Sequence, residues 1–129
     1  MSAFSDALAV TASALQAQAT RLRIVSENVA NADTPGYRRK SVPFQLDRSD
    51  SVSRVEAGRI RLSDSQLGRI HDPAHPMADA SGHYEGSNVN MIIEMADARE
   101  AQRSYEANLK MFEQTRSMRL TNAQRKGAA

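Results

Sequence analysis

Cysteine and tryptophan are both missing from this 129-residue chain, and only three Phe and three Tyr are present. Without cysteine there is no disulfide framework and no thiolate metal site. Six large aromatics are few for a chain of this size, because aromatics carry much of the burial in ordinary cores. Helix-on-helix contact, or contact with other chains, has to supply the rest. No stretch of 18 apolar residues occurs, so no membrane-spanning helix is expected. The first basic residue is Arg21, which leaves the opening stretch without the basic-then-apolar pattern of a cleavable secretory signal. Export, if it occurs, is expected to leave the N-terminus in place. No Gly-rich phosphate loop and no Gly-x-Ser-x-Gly elbow is found. The carboxylates are scattered among Arg and Lys and read as a solvated or intersubunit face. An enzyme is therefore not expected, and neither a cofactor nor a metal. The net charge of +2 is too small to imply nucleic acid by itself.

What is present reads as a single domain built from two long helices. Residues 2–32 form the first. Phe4, Leu8, Leu15, Leu22, Val25, Val29 and Ala32 fall in one stripe roughly 100° wide. The same residues fit a heptad, with Leu8, Leu15, Leu22 and Val29 at one site, although Thr11 and Gln18 weaken the other. Away from the stripe the helix is Ala, Ser, Thr and Gln, with Val10 and Ile24 among them, and Asp6 is the one charge before residue 21. A helix meant for water carries charges on its outer face. This small neutral face, with Ala7, Ser13 and Ala14 on it, is expected to meet neighbouring subunits.

The helix stops at Asp33-Thr34-Pro35-Gly36. Pro35 disfavours helical geometry at Thr34, and Pro-Gly suits the two central positions of a type II turn. Residues 37–89 read as irregular with minor β. Val42, Phe44 and Leu46, and then Ile60 and Leu62, are short strand candidates. Residues 47–58 are expected to form a mobile loop. Pro73, Pro76, Gly82 and Gly86 mark turns.

Residues 90–123 read as the second helix, with Asn88 or Asn90 as its cap. Met91, Met95, Ala98, Tyr105, Leu109, Phe112 and Leu120 share a stripe, while Met111 and Met118 lie opposite. Glu100 with Arg103 and Glu106 with Lys110 are spaced as helical ion pairs. The expected architecture is mainly α: an antiparallel hairpin or coiled coil from residues 1–36 and 90–129, interrupted by 37–89. Helix packing is assigned to Leu8, Leu15, Leu22, Val25 and Val29 against Met95, Leu109 and Phe112. Two apolar faces per helix imply more neighbours than one hairpin offers. A repeated head-to-tail contact that does not close builds a helical filament or tube.

Two clusters have rival readings. His71, Asp72, His75, Asp79 and His83 are metal-ligating residue types, but Pro73 and Pro76 oppose the helix that would align them, and a proline-braced loop is preferred. Arg38-Arg39-Lys40 with Arg116, Arg119, Arg125 and Lys126 raises a small basic nucleic-acid-binding protein as an alternative class. No aromatics are interleaved with the basic residues, so nucleic acid is not expected as a partner.

The run Ser26-Glu27-Asn28-Val29-Ala30-Asn31-Ala32-Asp33-Thr34-Pro35-Gly36-Tyr37 resembles the N-terminal signature of the flagellar rod and hook family. Ala101 to Asn108 is similar to its C-terminal motif. Asp72-Pro73-Ala74-His75-Pro76-Met77-Ala78-Asp79, followed by Asn88-Val89-Asn90, resembles one of the two short proximal rod proteins of that family and argues against the other. The resemblance implies a structural subunit of the basal-body rod that transmits torque from motor to hook. It implies passage through the flagellar type III export apparatus without cleavage, and a place in the periplasmic span. Its implied partners are copies of itself, other rod proteins and the adaptors between rod and membrane ring. Asn28, Asn31, Thr34, Pro35, Gly36, Tyr37, Tyr105 and Asn108 become the implied assembly motif. From the residues alone, Asn28 and Asn31 equally suit the termination of a helix.

Overall fold

A computed structural model describes residues 2–128; the outermost residues of the two expected helical segments, Met1 and Ala129, lie outside the described residues. The first helix, α1, runs Ala3–Ala30. Ser2 caps it, its Oγ accepting the Ser5 N–H at 3.2 Å. The second, α2, runs Met91–Ala128. Asn90 caps it, its Oδ1 accepting the Ile92 N–H at 3.0 Å and its carbonyl accepting the Glu94 N–H at 3.0 Å. Each cap satisfies N–H groups that a helix start otherwise leaves unpaired. The helices pack antiparallel. We call the end where α1 stops and α2 starts the closed end, and the end holding both termini the open end. At ~1.5 Å per residue α1 is about 42 Å long and α2 about 57 Å, so the last turns of α2 run past the start of α1.

Three two-stranded antiparallel ribbons fill the middle. β1 (Lys40–Ser41) pairs with β4 (Arg61–Leu62). β2 (Phe44–Asp47) pairs with β3 (Arg54–Ala57). β5 (Arg69–His71) pairs with β6 (His83–Glu85). The expected strand from Val42 to Leu46 is broken by Pro43, which has no N–H for a ladder; its carbonyl instead accepts the Gly58 N–H at 2.8 Å. The loop expected over 47–58 is half strand. Val55 pairs with Leu46, and its N–H reaches Ser13 Oγ at 3.3 Å, which lays the β2–β3 ribbon along α1.

That ribbon corrects the reading of the neutral face. Ser13 and Ala14 are half-buried by the chain's own elements, and Ala17 is buried. The buried residues of α1 are Thr11, Ala17, Ile24, Val25 and Asn28, centred roughly 100° around the helix from the leucine stripe. Small side chains let α2 and the ribbon approach closely, Ile24 and Val25 are buried with them, and the leucines are left half-buried at the edge. The first helix ends at Ala30, not at 32, because Asn31 caps it; α2 continues to Ala128, past the expected end at 123.

The core is thin. Its buried apolar residues are Ala17, Ile24, Val25 and Ala101, and two of the three largest fully buried side chains, Asn28 and Glu94, are polar. The accessible surface is 8923 Å². A compact monomer of this 14.2 kDa mass exposes ~6,800 Å². Among the described residues no helix is long and apolar enough to cross a membrane.

Candidate assembly site

The closed end is organised by Asn28. It sits in the last turn of α1 and is fully buried. Its Oδ1 accepts the Tyr37 O–H at 2.8 Å and the Lys40 N–H at 2.9 Å. Its Nδ2 donates to the Lys40 carbonyl at 2.8 Å and to Glu94 Oε2 at 3.2 Å. One amide thus meets the backbone beyond the turn like a strand partner and also ties α1 to α2. Burial raises the Tyr37 phenol above its ordinary pKa; Lys40 opposes that shift, while Glu27 and Glu94 add to it.

Between Asn28 and Tyr37 the chain reverses. Asn31 Nδ2 donates to the Glu27 carbonyl at 2.8 Å, and Thr34 Oγ1 donates to Asn31 Oδ1 at 3.1 Å. The Tyr37 N–H reaches the Thr34 carbonyl at 3.1 Å, closing a turn with Pro35 and Gly36 at its centre. Gly36 has φ +76°, the left-handed value that the third position of a type II turn requires. Its N–H donates to the carbonyls of Glu85 and Gly86 at 3.2 and 3.0 Å, docking the β5–β6 ribbon on the turn. Ser87 Oγ donates to the Ala32 carbonyl, and the Asn88 N–H to the Tyr37 carbonyl at 3.3 Å.

Glu94 completes the site. Its side chain is wholly buried, and Arg39 Nε donates to it. A second Arg39 nitrogen binds Asp97 at 2.7 Å. Asp97 and Glu100 also meet Arg21 of α1, at 3.6 and 3.5 Å. Burying a carboxylate alone is prohibitive; here the guanidinium and the Asn28 amide compensate it. Beside this ladder, Glu27 holds Lys40 at 3.2 Å and Arg23 at 2.9 Å. The Lys40 hydrogen bond is the main reason why the Glu27 carboxyl titrates below its ordinary value, against the opposing effect of burial.

Six of the eight expected motif residues, Asn28, Asn31, Thr34, Pro35, Gly36 and Tyr37, therefore converge on one junction. Tyr105 and Asn108 do not join it. They are half-buried on the face of α2 toward α1, and Asn108 Nδ2 donates to its own helix at Ser104, 2.7 Å away. Of the expected packing residues, Val25 is buried, and Leu8, Leu15, Leu22 and Phe112 are half-buried. Val29, Met95 and Leu109 are more exposed, at 40%, 59% and 36%. Glu94, Arg39 and Asp97 were missed. The reading of the carboxylates as a solvated face fails at Glu94, which lies in line with Asp97 and Ala101 on the buried side of α2. That alignment was a readable signal. Glu100 pairs with Arg21, where Arg103 was expected; the Glu106–Lys110 pair is not formed among the described residues.

The rival clusters look different in three dimensions. Arg38 donates to the Ser63 and Ser65 carbonyls at 3.1 Å each, while Arg39 and Lys40 are held in ion pairs, so this basic run is used inside the chain. His75 stacks on Tyr84 with ring centroids 3.8 Å apart, and His71 lies 4.6 Å from His83. Among the described residues, no group of three or more His, Asp or Glu is placed to hold a metal ion.

Comparison with known proteins gives a consistent result. The family model described as "Flagella basal body rod protein" matches residues 8–38. The one described as "Flagellar basal body rod FlgEFG protein C-terminal" matches residues 80–125. The "Flagellar basal-body rod protein FlgC" of Agrobacterium fabrum is 46% identical over 127 residues, covering 92% of this chain and 91% of its own. The protein of that name from Salmonella typhimurium is 34% identical over 119 residues, covering 86% and 89%. Its counterpart from Bacillus subtilis is 35% identical over 143 residues, covering 92% and 94%.

Proposed function

The chain belongs to the flagellar basal-body rod protein family, and from that premise we propose that its helical hairpin is the polymerising element of a proximal rod subunit. As a rod-family member it is a structural subunit and not an enzyme, and it assembles with other rod components. The relatives named FlgC favour that proximal rod protein over the second short one.

One observation carries the polymerising role. Among the described residues, fifteen large apolar side chains are exposed, whereas four apolar residues are buried. Many of the fifteen form rows. Met91, Met95, Leu109 and Leu120 flank the inner face of α2 on one side, and Ile93, Met111 and Met118 flank it on the other. Scattered single apolar residues on a surface are ordinary, but apolar residues aligned along the flanks of one helix, even where Gln102 and Arg116 interrupt them, suit contact with neighbouring helices. Neighbouring hairpins that cover both rows form a tube. Such a tube resists twist because packed interfaces cannot slide without opening voids. In this reading the leucine stripe of α1 and the two rows of α2 meet other subunits, while Asn28 to Tyr37 hold the hairpin in the shape those subunits require.

The reading extends to the route and setting. The chain passes through the flagellar type III export apparatus with its N-terminus intact. It is then built into the periplasmic span of the rod, next to adaptors on the membrane ring. The test is Met95→Glu with Leu109→Glu in cells lacking the native copy. Expression and the circular dichroism of the purified chain should be unchanged, while rods fail to form and swimming is lost. Swimming at the wild-type level with both charges in place would refute the proposal.

A further inference from the structure

The two ends of the molecule differ in the charge they carry, and each presents an exposed methionine. At the open end, Phe4 of α1 and Ser117, Met118, Thr121, Asn122 and Arg125 of α2 line a cavity of about 450 Å³, which is open to solvent. Met118 is 54% exposed there. From residue 113 onward the chain carries Arg116, Arg119, Arg125 and Lys126 against one acid, Glu113. Over residues 63–90 of the closed end the signs reverse, with the exposed Arg59 and Arg61 just ahead of them. Between Ser63 and Asn90 it carries Asp64, Asp72, Asp79 and Glu85 against one base, Arg69. Arg69 is engaged by Asp79 at 3.5 Å. Met77 stands on this acidic ribbon and is 62% exposed. It lines the same recess as Gly36 and Glu85, which places it beside the turn that closes the hairpin.

We propose that the acidic, Met77-bearing tip of one copy seats in the Phe4–Met118 notch of a second copy, end to end. The proposal rests on the polymerising reading above and specifies one of its contacts. Within a single chain the two features cannot meet, because about 40 Å of α1 separates them. Between copies the contact joins different patches, so it can be repeated from copy to copy, and it builds an open stack where the rotation between copies does not close a ring. Met77 is an unbranched thioether that fills an irregular apolar notch well. The acidic ribbon faces Arg125 and Lys126 across the joint, which fixes the direction of stacking more than it adds affinity. The bound Met77 would also cover the exposed face of Met118, a large apolar side chain that its own chain leaves more than half open.

The absence of cysteine makes the test direct. The full-length chain carrying Met77→Cys and Met118→Cys is oxidised with diamide at low salt. A ladder of disulfide-linked oligomers is expected on a non-reducing gel, since an intrachain bond is out of reach. The ladder should shrink at ~0.5 M salt, where screening acts within a few ångströms. It should also shrink with Arg125→Glu and Lys126→Glu, and recover when Asp72→Lys and Glu85→Lys are added. A second chain carrying Met95→Cys and Met111→Cys reports side-by-side packing. A ladder from this chain but not from the first overturns the end-to-end contact and leaves the polymerising reading standing. Ladders from neither chain overturn both. Capture of a different rod protein by Met118→Cys in isolated basal bodies, with no self-capture, rejects a second copy as the occupant.

Discussion

The two ends of the helical hairpin are stabilised in opposite ways. At the closed end, polar groups are buried and satisfied by one another. Asn28 uses both oxygen and nitrogen, and Glu94 is held by Arg39 and that same amide. Apolar groups stand in solvent at both ends, Ile92, Met95 and Met77 at the closed end among them, but at the open end no comparable buried polar network accompanies them among the described residues. Met111, Met118 and Leu120 are all more than half exposed, and the last turns of α2 have no element of the chain alongside. A chain meant to remain a monomer would place these the other way round. The difference suggests that the closed end fixes the subunit's own shape through its polar network, while exposed apolar groups at both ends are left for neighbours.

The largest test of this contrast is Glu94→Ala. It leaves Arg39 and Asn28 without their buried partner and should cost about 3–5 kcal/mol in urea unfolding. A loss under ~1 kcal/mol would show that the closed end is not held by this network. Gly36→Val comes next. No neighbouring atom lies within 4 Å of an added Cβ, so the penalty is the positive φ alone, about 1–2 kcal/mol for a non-glycine residue. The protein should still be made, with rod assembly impaired because the turn aims the closed end; normal motility would separate the turn from assembly. Tyr37→Phe removes one of the two donors to Asn28 Oδ1 while Lys40 keeps the other. About 1 kcal/mol is expected by the same urea assay, and no change would mean that the Lys40 backbone alone suffices.

At the open end, Met118→Ala should change monomer stability by less than ~0.5 kcal/mol, since the chain covers little of it. A loss above ~2 kcal/mol would mean that the chain does bury this side chain and would erase the contrast. The smallest effect belongs to Asp79. The Ser81 hydroxyl, with the His83 and Ser81 N–H groups, holds its carboxyl down at about 2, against an ordinary 3.8. Because the folded value is depressed, the stability it lends the 72–82 turn is complete above about 3.8. It is lost as the pH falls through about 2. Proton-resonance titration of the Ser81 and His83 amides should show that low midpoint, and a midpoint near 3.8 would remove the Asp79 hydrogen bonds from the account.

Much was open to local reading, and the reason is range. Helix caps, a Pro-Gly turn and helical periodicity depend on residues within a few positions of one another. Both helices, the type II turn at Thr34–Tyr37 and the motif order that placed the chain in its family were therefore legible in 129 letters. What the letters could not decide was which face turns inward. Apolar periodicity shows where large side chains lie, not what covers them, and a polymer subunit divides its apolar surface between itself and its neighbours. The leucine stripe looked like the core, yet Ala17, Ile24 and Asn28, off the stripe, are buried while its leucines are half-buried, because the β2–β3 ribbon and α2 both press on that side. Glu94 shows the same limit. On its own helix it is an ordinary acid, and only Arg39, 55 positions away, and Asn28, 66 away, make its burial possible. Local sequence chose the helices and the turn through short-range hydrogen bonds and sterics. Tertiary structure alone decided which polar groups could leave water, because a buried charge is tolerated only where distant partners meet it.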